Sequence, residues 1–440
     1  MAAFSDLPNE IILLIWRCAD LKDVYNFSTT SKQTYTLVQH LLPEHLDFQR
    51  RLSTISNEDR FGIIESRYFG RVLKEILMNP EASRHPETLK FHGWDFRWDD
   101  ADFSPDSIPT EADIDLFENA IRQSSLIDKG EMNDWVLEIR KGNEEPLIAL
   151  LMTLLPNLAS IVHKGWSPHA VYIDEVLGNI ARAESPKSLK LLRCVAVGFD
   201  EDLENPDCIH LDAIRCYSEI PSVETLYGHH VECDEDDLLV THPPLPLQSN
   251  ITRLALTDCA IHAKPLSDFL LTMDGLCHFT YTPKHRGSGD SSFEPFWIRT
   301  ALQCHQRWTL KSLTLLACDH PKSFMGSLDL FPYLEDLETD LVLLLGNLSG
   351  TSHGLCTVLP ETIRDVKLHV ASPEDGLRNW KILEGLKMEL GRFPDLARIT
   401  MKGDISIGKK EEEEQRIQAG LIKDFGAKGV ALSYEHSSKE

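Results

Sequence analysis

Nine short segments share one pattern, apolar-x-x-apolar, in six of them extended by -x-apolar, and they recur across more than half of the chain. They begin at Leu158, Leu189, Val223, Ile251, Leu276, Leu310, Leu334, Ile363 and Leu396, 24 to 34 residues apart. The two-residue alternation at the end of each segment is the signature of a strand with one buried face. The residues between them carry apolar positions at helical spacing, as in 293–308, 377–393 and 411–425. A strand and a helix of this length cannot each cover the other's apolar surface alone, so neighbouring units must stack. Gly429-Val430-Ala431-Leu432 supplies one further strand candidate, and Thr88-Leu89-Lys90-Phe91 an earlier one.

The pattern resembles degenerate leucine-rich repeats, with a longer and irregular period and without the usual asparagine after the strand. That resemblance implies a solenoid of alternating helices and short parallel strands. A compact doubly wound α/β domain is the alternative, although no glycine-rich phosphate loop follows any of the strands. At 440 residues the chain exceeds what one hydrophobic core organises, which favours several domains or an elongated array.

The first forty residues are different in kind. Pro8 suits a helix's first turn, Glu10 meets the positive end of the helix dipole, and Ile11, Ile12, Leu14, Ile15 and Trp16 make that helix apolar over more than one face. Asp23 can start a second short helix carrying Val24 and Phe27, and Thr30 or Ser31 a third running through Tyr35 to Leu41. The order Leu7-Pro8-x-Glu10-Ile11-Ile12, then Ile15, then Asp23-Val24-x-x-Phe27-Ser28-x-Thr30-Ser31-Lys32, resembles an F-box. Ala19 and Leu21 depart from that family's pattern, and Tyr35 stands where tryptophan is frequent. The helix-to-strand step from Leu77-Met78-Asn79-Pro80 to Thr88–Phe91 is similar to that of fungal-type F-box proteins.

The expected organisation is therefore α/β: a three-helix F-box at 1–45, a helical connector and first strand at 46–115, and a leucine-rich-repeat-like domain at 116–440. Within the connector, 43–61 reads as polar and helix-compatible, and 99–115 as an acidic, proline-punctuated loop. The F-box resemblance implies docking to a SKP-family adaptor, and through it to cullin, by Leu7, Pro8, Ile11, Ile12, Ile15, Val24, Phe27 and Thr30. It also implies a substrate receptor of an SCF-type cullin-RING ubiquitin ligase. Alternatives are a self-standing α/β enzyme with a site within 150–400, and an F-box scaffold acting outside any ligase.

A net charge of -25 repels phosphate backbones and anionic membranes, so neither nucleic acid nor membrane is an expected partner. Ten scattered cysteines without a C-x-x-C pair fit reduced thiols, hence a cytoplasmic or nuclear protein. No apolar run approaches membrane-spanning length, and the first residues lack the layout of a secretory signal.

In a stacked array the residues between the apolar strand positions face outward. Tyr227, His229, Arg253, His278, Asp336, Glu338, Lys367 and Arg398 are the target-binding candidates on that face. Cys208-x-His210 and His229-His230-x-x-Cys233 offer the right atoms for zinc, but their spacing matches no compact finger, so no metal is expected. Gly287-Ser288-Gly289-Asp290 reads as a flexible loop rather than a hydrolase elbow, and the pairs Trp94-Asp95 and Trp98-Asp99, four residues apart, are incompatible with propeller repeats. No nucleophile–base pair or phosphate cradle stands out; neither catalysis nor a cofactor is expected.

Overall fold

The computed structural model describes residues 7–19, 21–59, 65, 68–92, 109–164, 170–183, 188–198, 209–234, 249–284, 293–316, 323–346, 354–370, 376–403 and 411–436. The chain forms two compact units, Met1–Cys194 and Val195–Glu440. Trp94, Trp98, Cys208 and Gly287–Asp290 lie outside the described residues.

The first unit opens with three short helices, α1 (Asn9–Cys18), α2 (Leu21–Ser28) and α3 (Lys32–Val38). Helix α4 (Leu42–Leu52) leads into β1 (Thr54–Ser56), and α5 (Tyr68–Met78) with a 3-10 turn at Pro80–Arg84 leads into β2 (Thr88–His92). Helices α6 (Glu111–Gln123), α7 (Met132–Lys141) and α8 (Glu145–Leu154) precede β3 (Ser160–Lys164), and α9 (Val171–Arg182) follows it. The three strands pair in parallel, with Ile55 beside Leu89 and Leu89 beside Ile161. Two expectations are corrected here. The stretch 43–61 contains a strand, because Ile55 is fully buried beside Leu89. Glu111–Asp115 is helix rather than loop: Thr110 and Asp113 form a capping box, and the acidic residues face the positive end of α6.

The second unit begins one residue into β4 (Cys194–Val197). It continues through β5 (Ile209–His210), α10 (Leu211–Ser218), β6 (Thr225–His229), β7 (Val231–Cys233) and β8 (Arg253–Ile261). Then come α11 (Ala263–Leu270), β9 (His278–Pro283), α12 (Pro295–His305), β10 (Ser312–Leu315), β11 (Asp336–Asp340), α13 (Leu341–Leu345) and α14 (Leu355–Val358). The last elements are β12 (Asp365–Val370), α15 (Gly376–Met388), β13 (Arg398–Gly403), α16 (Glu411–Gly426) and β14 (Ala431–His436). Its sheet runs β4-β6-β8-β9-β10-β11-β12-β13-β14 without reversing direction, which is not the order of a doubly wound domain. From β6 to β14 every neighbouring pair is parallel.

One device sets the level at which each strand enters. A single carbonyl just before or at the start of one strand accepts N–H groups from two successive residues of the next. Glu224 accepts from Thr252 and Arg253, Thr252 from Cys277 and His278, Cys277 from Lys311 and Ser312, and Lys311 from Glu335 and Asp336. Glu335 and Arg364 repeat the contact with Arg364–Asp365 and Ala397–Arg398. The first apolar residue of each sequence segment anchors this entry turn, and all nine are buried. Above the turn lie two lateral core rows. The lower is Leu226, Leu254, Phe279, Leu313, Leu337, Val366, Ile399 and Leu432.

The upper row runs Leu256, Tyr281, Leu315, Thr339, Leu368 and Met401. Thr339 is the polar exception; it is fully buried and its hydroxyl has no hydrogen-bond partner. Desolvating a hydroxyl without recompense costs about 1–2 kcal/mol. Thr339→Val, which keeps the shape, is expected to raise the unfolding free energy by that amount, seen as a higher denaturant midpoint at unchanged slope.

Among the described residues no helix is long and apolar enough to cross a membrane.

Candidate docking surface and sheet face

Helix α1 divides its apolar residues between two directions. Ile12 is fully buried, and Leu13, Trp16 and Ala19 pack against the small core of Val24, Val38 and Leu42. The Trp16 indole N–H donates to Ser28 Oγ at 3.1 Å, and that hydroxyl donates to the Val24 carbonyl at 2.6 Å, which fixes α1 against α2. Ser31 caps α3 by accepting from the Thr34 N–H at 3.1 Å. Arg84 donates to the Ala19 carbonyl at 3.3 Å and so closes the end of α1.

On the other side, Pro8 is exposed, Ile11 is 41 % exposed and Leu14 55 %, while Leu7 and Ile15 are half-buried. Leu7, Ile11 and Leu14 follow helical spacing and form one apolar stripe. Tyr25 and Tyr35, on α2 and α3, are exposed as well. Of the remaining sequence candidates, Val24 is buried, Phe27 half-buried and Thr30 exposed, its hydroxyl donating to the Phe27 carbonyl at 2.7 Å. Sequence reasoning placed Leu14 in the helix but not at the surface; its i+3 spacing from Ile11 was the available signal.

Behind the three helices a cavity of about 220 Å³ is lined by Trp16, His45, Phe48, Arg84 and His85, among others. Burial pushes His85 down to about 4, so its ring is neutral at physiological pH.

The target-face candidates fall into register. Arg253, His278, Ser312, Asp336, Asp365 and Arg398 occupy one lateral row, directly beside one another on successive strands. Tyr227, Ala255, Thr280, Thr314, Glu338, Lys367 and Thr400 form the next. Arg253, Asp336, Lys367 and Arg398 are exposed, while Tyr227, His229, His278 and Glu338 are half-buried. Much of the charge is matched within the sheet. Glu338 takes His369 Nε2 at 3.0 Å and Lys367 Nζ at 3.6 Å, and Arg398 lies 3.4 Å from Asp365. The hydrogen bond with His369 and the charge of Lys367 hold the Glu338 carboxyl below its usual range. Burial and the neighbouring Asp365 and Glu335 push Asp336 up. His229 stands at the end of β6, its Nδ1 2.9 Å from Thr257 Oγ1. Asp365 completes the row of Asp336 and Arg398, a neighbour that only the strand register reveals.

Residues 4–46 match the family model of the F-box domain. No curated protein matches the chain. F-box domains in general bind SKP-family adaptors and so link a chain to cullin, and the proteins that carry them are typically substrate adaptors of SCF ligases rather than enzymes. The N-terminal helices match that domain and a parallel α/β region follows them: the chain carries an F-box domain at residues 4–46.

Proposed function

We propose that this chain is the substrate-recognition subunit of an SCF-type cullin-RING ubiquitin ligase, acting in the cytoplasm or nucleus. The stripe of Leu7, Pro8, Ile11 and Leu14 docks on the adaptor, with Ile15, Phe27 and Thr30 at its margin; Ile12 and Val24 act from beneath by holding the helices in place. The observation that carries this reading is the exposure of Ile11 and Leu14 on a helix whose opposite side is already filled by its own core. Apolar surface of this kind on a small module calls for a protein partner.

The remainder, read as a leucine-rich-repeat-like array over 116–440 beyond a connector at 46–115, presents a target on the two lateral rows. Such a surface does no bond chemistry. It raises the local concentration of a target near the ubiquitin-loaded enzyme, and a stiff array does so better than a slack linker. Protein, rather than nucleic acid or membrane, is the partner that the net charge of -25 favours.

Affinity purification with the adaptor, comparing wild type with Lys367→Glu/Arg398→Glu, tests the second half of the proposal. Both side chains are exposed, so the like-charge contacts the new carboxylates make with Glu338 and Asp365 cost about 1 kcal/mol each at most; circular dichroism checks that the fold persists, and bound target proteins are expected to fall at least about tenfold while adaptor recovery is unchanged. Identical target profiles for both chains would remove the rows from the interface.

A further inference from the structure

Strands β6 and β8 turn a corner at the same level. β6 ends at His229 and β7 resumes at Val231, while β8 pairs with β6 as far as Thr257 and with β7 from Ala260. The corner residues are His230 (φ 55°) and Asp258 (φ 53°), both in the left-handed region that costs any side-chain-bearing residue energy. The consequence is a reversal of side-chain direction. Consecutive residues of a strand point to opposite faces, but the corner at 230 brings the rings of His229 and His230 to 4.1 Å between centroids. The corner at 258 brings Asp258 Oδ2 to 2.9 Å from His230 Nδ1.

We propose that His229, His230 and Asp258 form a binding site for a divalent transition ion of the zinc class. One donor atom from each lies within 4.8 Å of the other two. Donors on a tetrahedral ion sit roughly 3.3 Å apart, so side-chain rotation alone closes the set around an ion. Two imidazoles with one carboxylate suit zinc rather than calcium or magnesium, which take oxygen donors.

Two further observations fit a metal better than a plain ion pair. His230 Nδ1 is buried and, despite its 2.9 Å approach to Asp258, is out of line for a hydrogen bond and makes none. Thr257 Oγ1 holds Nδ1 of His229 at 2.9 Å, and the Thr282 hydroxyl accepts from the Asp258 N–H at 2.9 Å; both orient ligands from outside the set. The nearby cation, Lys284, is 3.1 Å from Glu232 and thereby neutralised. Gly198 keeps the corner tight: a Cβ there would lie 2.1 Å from the His229 carbonyl oxygen.

Three protein donors leave a coordination position for water or for a donor from a bound protein. The site needs neither the adaptor nor a target, so it stands apart from the function proposed above.

The full chain, stripped with chelator, would be titrated calorimetrically with Zn²⁺ and spectroscopically with Co²⁺. The expected result is one ion per chain, and a Co²⁺ visible spectrum of nitrogen and oxygen ligation without a thiolate charge-transfer band. Asparagine tolerates a positive φ, so His230→Asn and Asp258→Asn keep the corners; each should weaken the wild-type Kd at least about tenfold. Cys233→Ala should leave it unchanged. Zn²⁺ affinity equal in wild type and both asparagine variants, or a thiolate band lost in Cys233→Ala, would overturn the assignment.

Discussion

Leu7→Ala combined with Pro8→Ala is expected to abolish co-purification of a SKP-family adaptor while the rest of the chain stays folded. Two anchors at the head of an apolar stripe are worth about 2–4 kcal/mol when truncated together, or roughly thirtyfold to a thousandfold in Kd. The fold should survive because the exposed Pro8 contributes its backbone: its carbonyl accepts from Ile11 and Ile12 at 3.0 and 3.1 Å, and alanine keeps that carbonyl. The core of Val24, Val38 and Leu42 is untouched. Ile12→Ala offers the contrast. It empties a fully buried position and should destabilise the module by about 2–4 kcal/mol, whatever its effect on docking. Binding measured for both variants beside circular dichroism separates the two roles, and an adaptor Kd for the double variant equal to wild type would contradict the docking surface.

Glu145→Gln is expected to stabilise the chain at alkaline pH. Glu145 is 1 % exposed at the start of α8, and its Oε1 accepts the N–H groups of Tyr172 and Ile173 in the first turn of α9 at 2.7 and 3.1 Å. Burial nevertheless dominates and pushes its carboxyl up to about 8 from an ordinary 4.5. The folded chain thus holds a proton that the unfolded chain has released. Its contribution to stability is intact below about pH 4.5 and is lost as pH rises through 8, on the order of 3–5 kcal/mol across that window. Glutamine keeps Oε1 as acceptor for both N–H groups and cannot ionise. Urea unfolding at pH 5 and pH 9 should give curves that cross: wild type equal or slightly better at pH 5, the variant better by about 2 kcal/mol or more at pH 9. Parallel pH dependence in both chains would mean that the carboxyl is ionised in the fold at ordinary pH.

The strands were legible because their signal is local. Leu276, Phe279 and Tyr281 announce β9 by spacing alone, and each occupies the core position that spacing requires. The missed elements lacked that local mark. Thr54–Ser56 is a strand only because Ile55 meets Leu89, and β5 and β7 exist only because β8 turns to meet β7. The candidate surface divided in the same way. The sequence marked α1 as apolar on more than one side, but which side faced its own core depended on where Val24, Val38 and Leu42 came to rest.

Local apolar periodicity by itself determined three short N-terminal helices followed by alternating helices and strands, since each residue's place in a strand or helix follows from its near neighbours. Tertiary structure alone decided that Arg253, His278, Asp336 and Arg398 share one row, and that two adjacent histidines turn toward an aspartate 28 residues beyond the second of them. Strand register and a backbone corner set those meetings, and both arise only when distant segments pair.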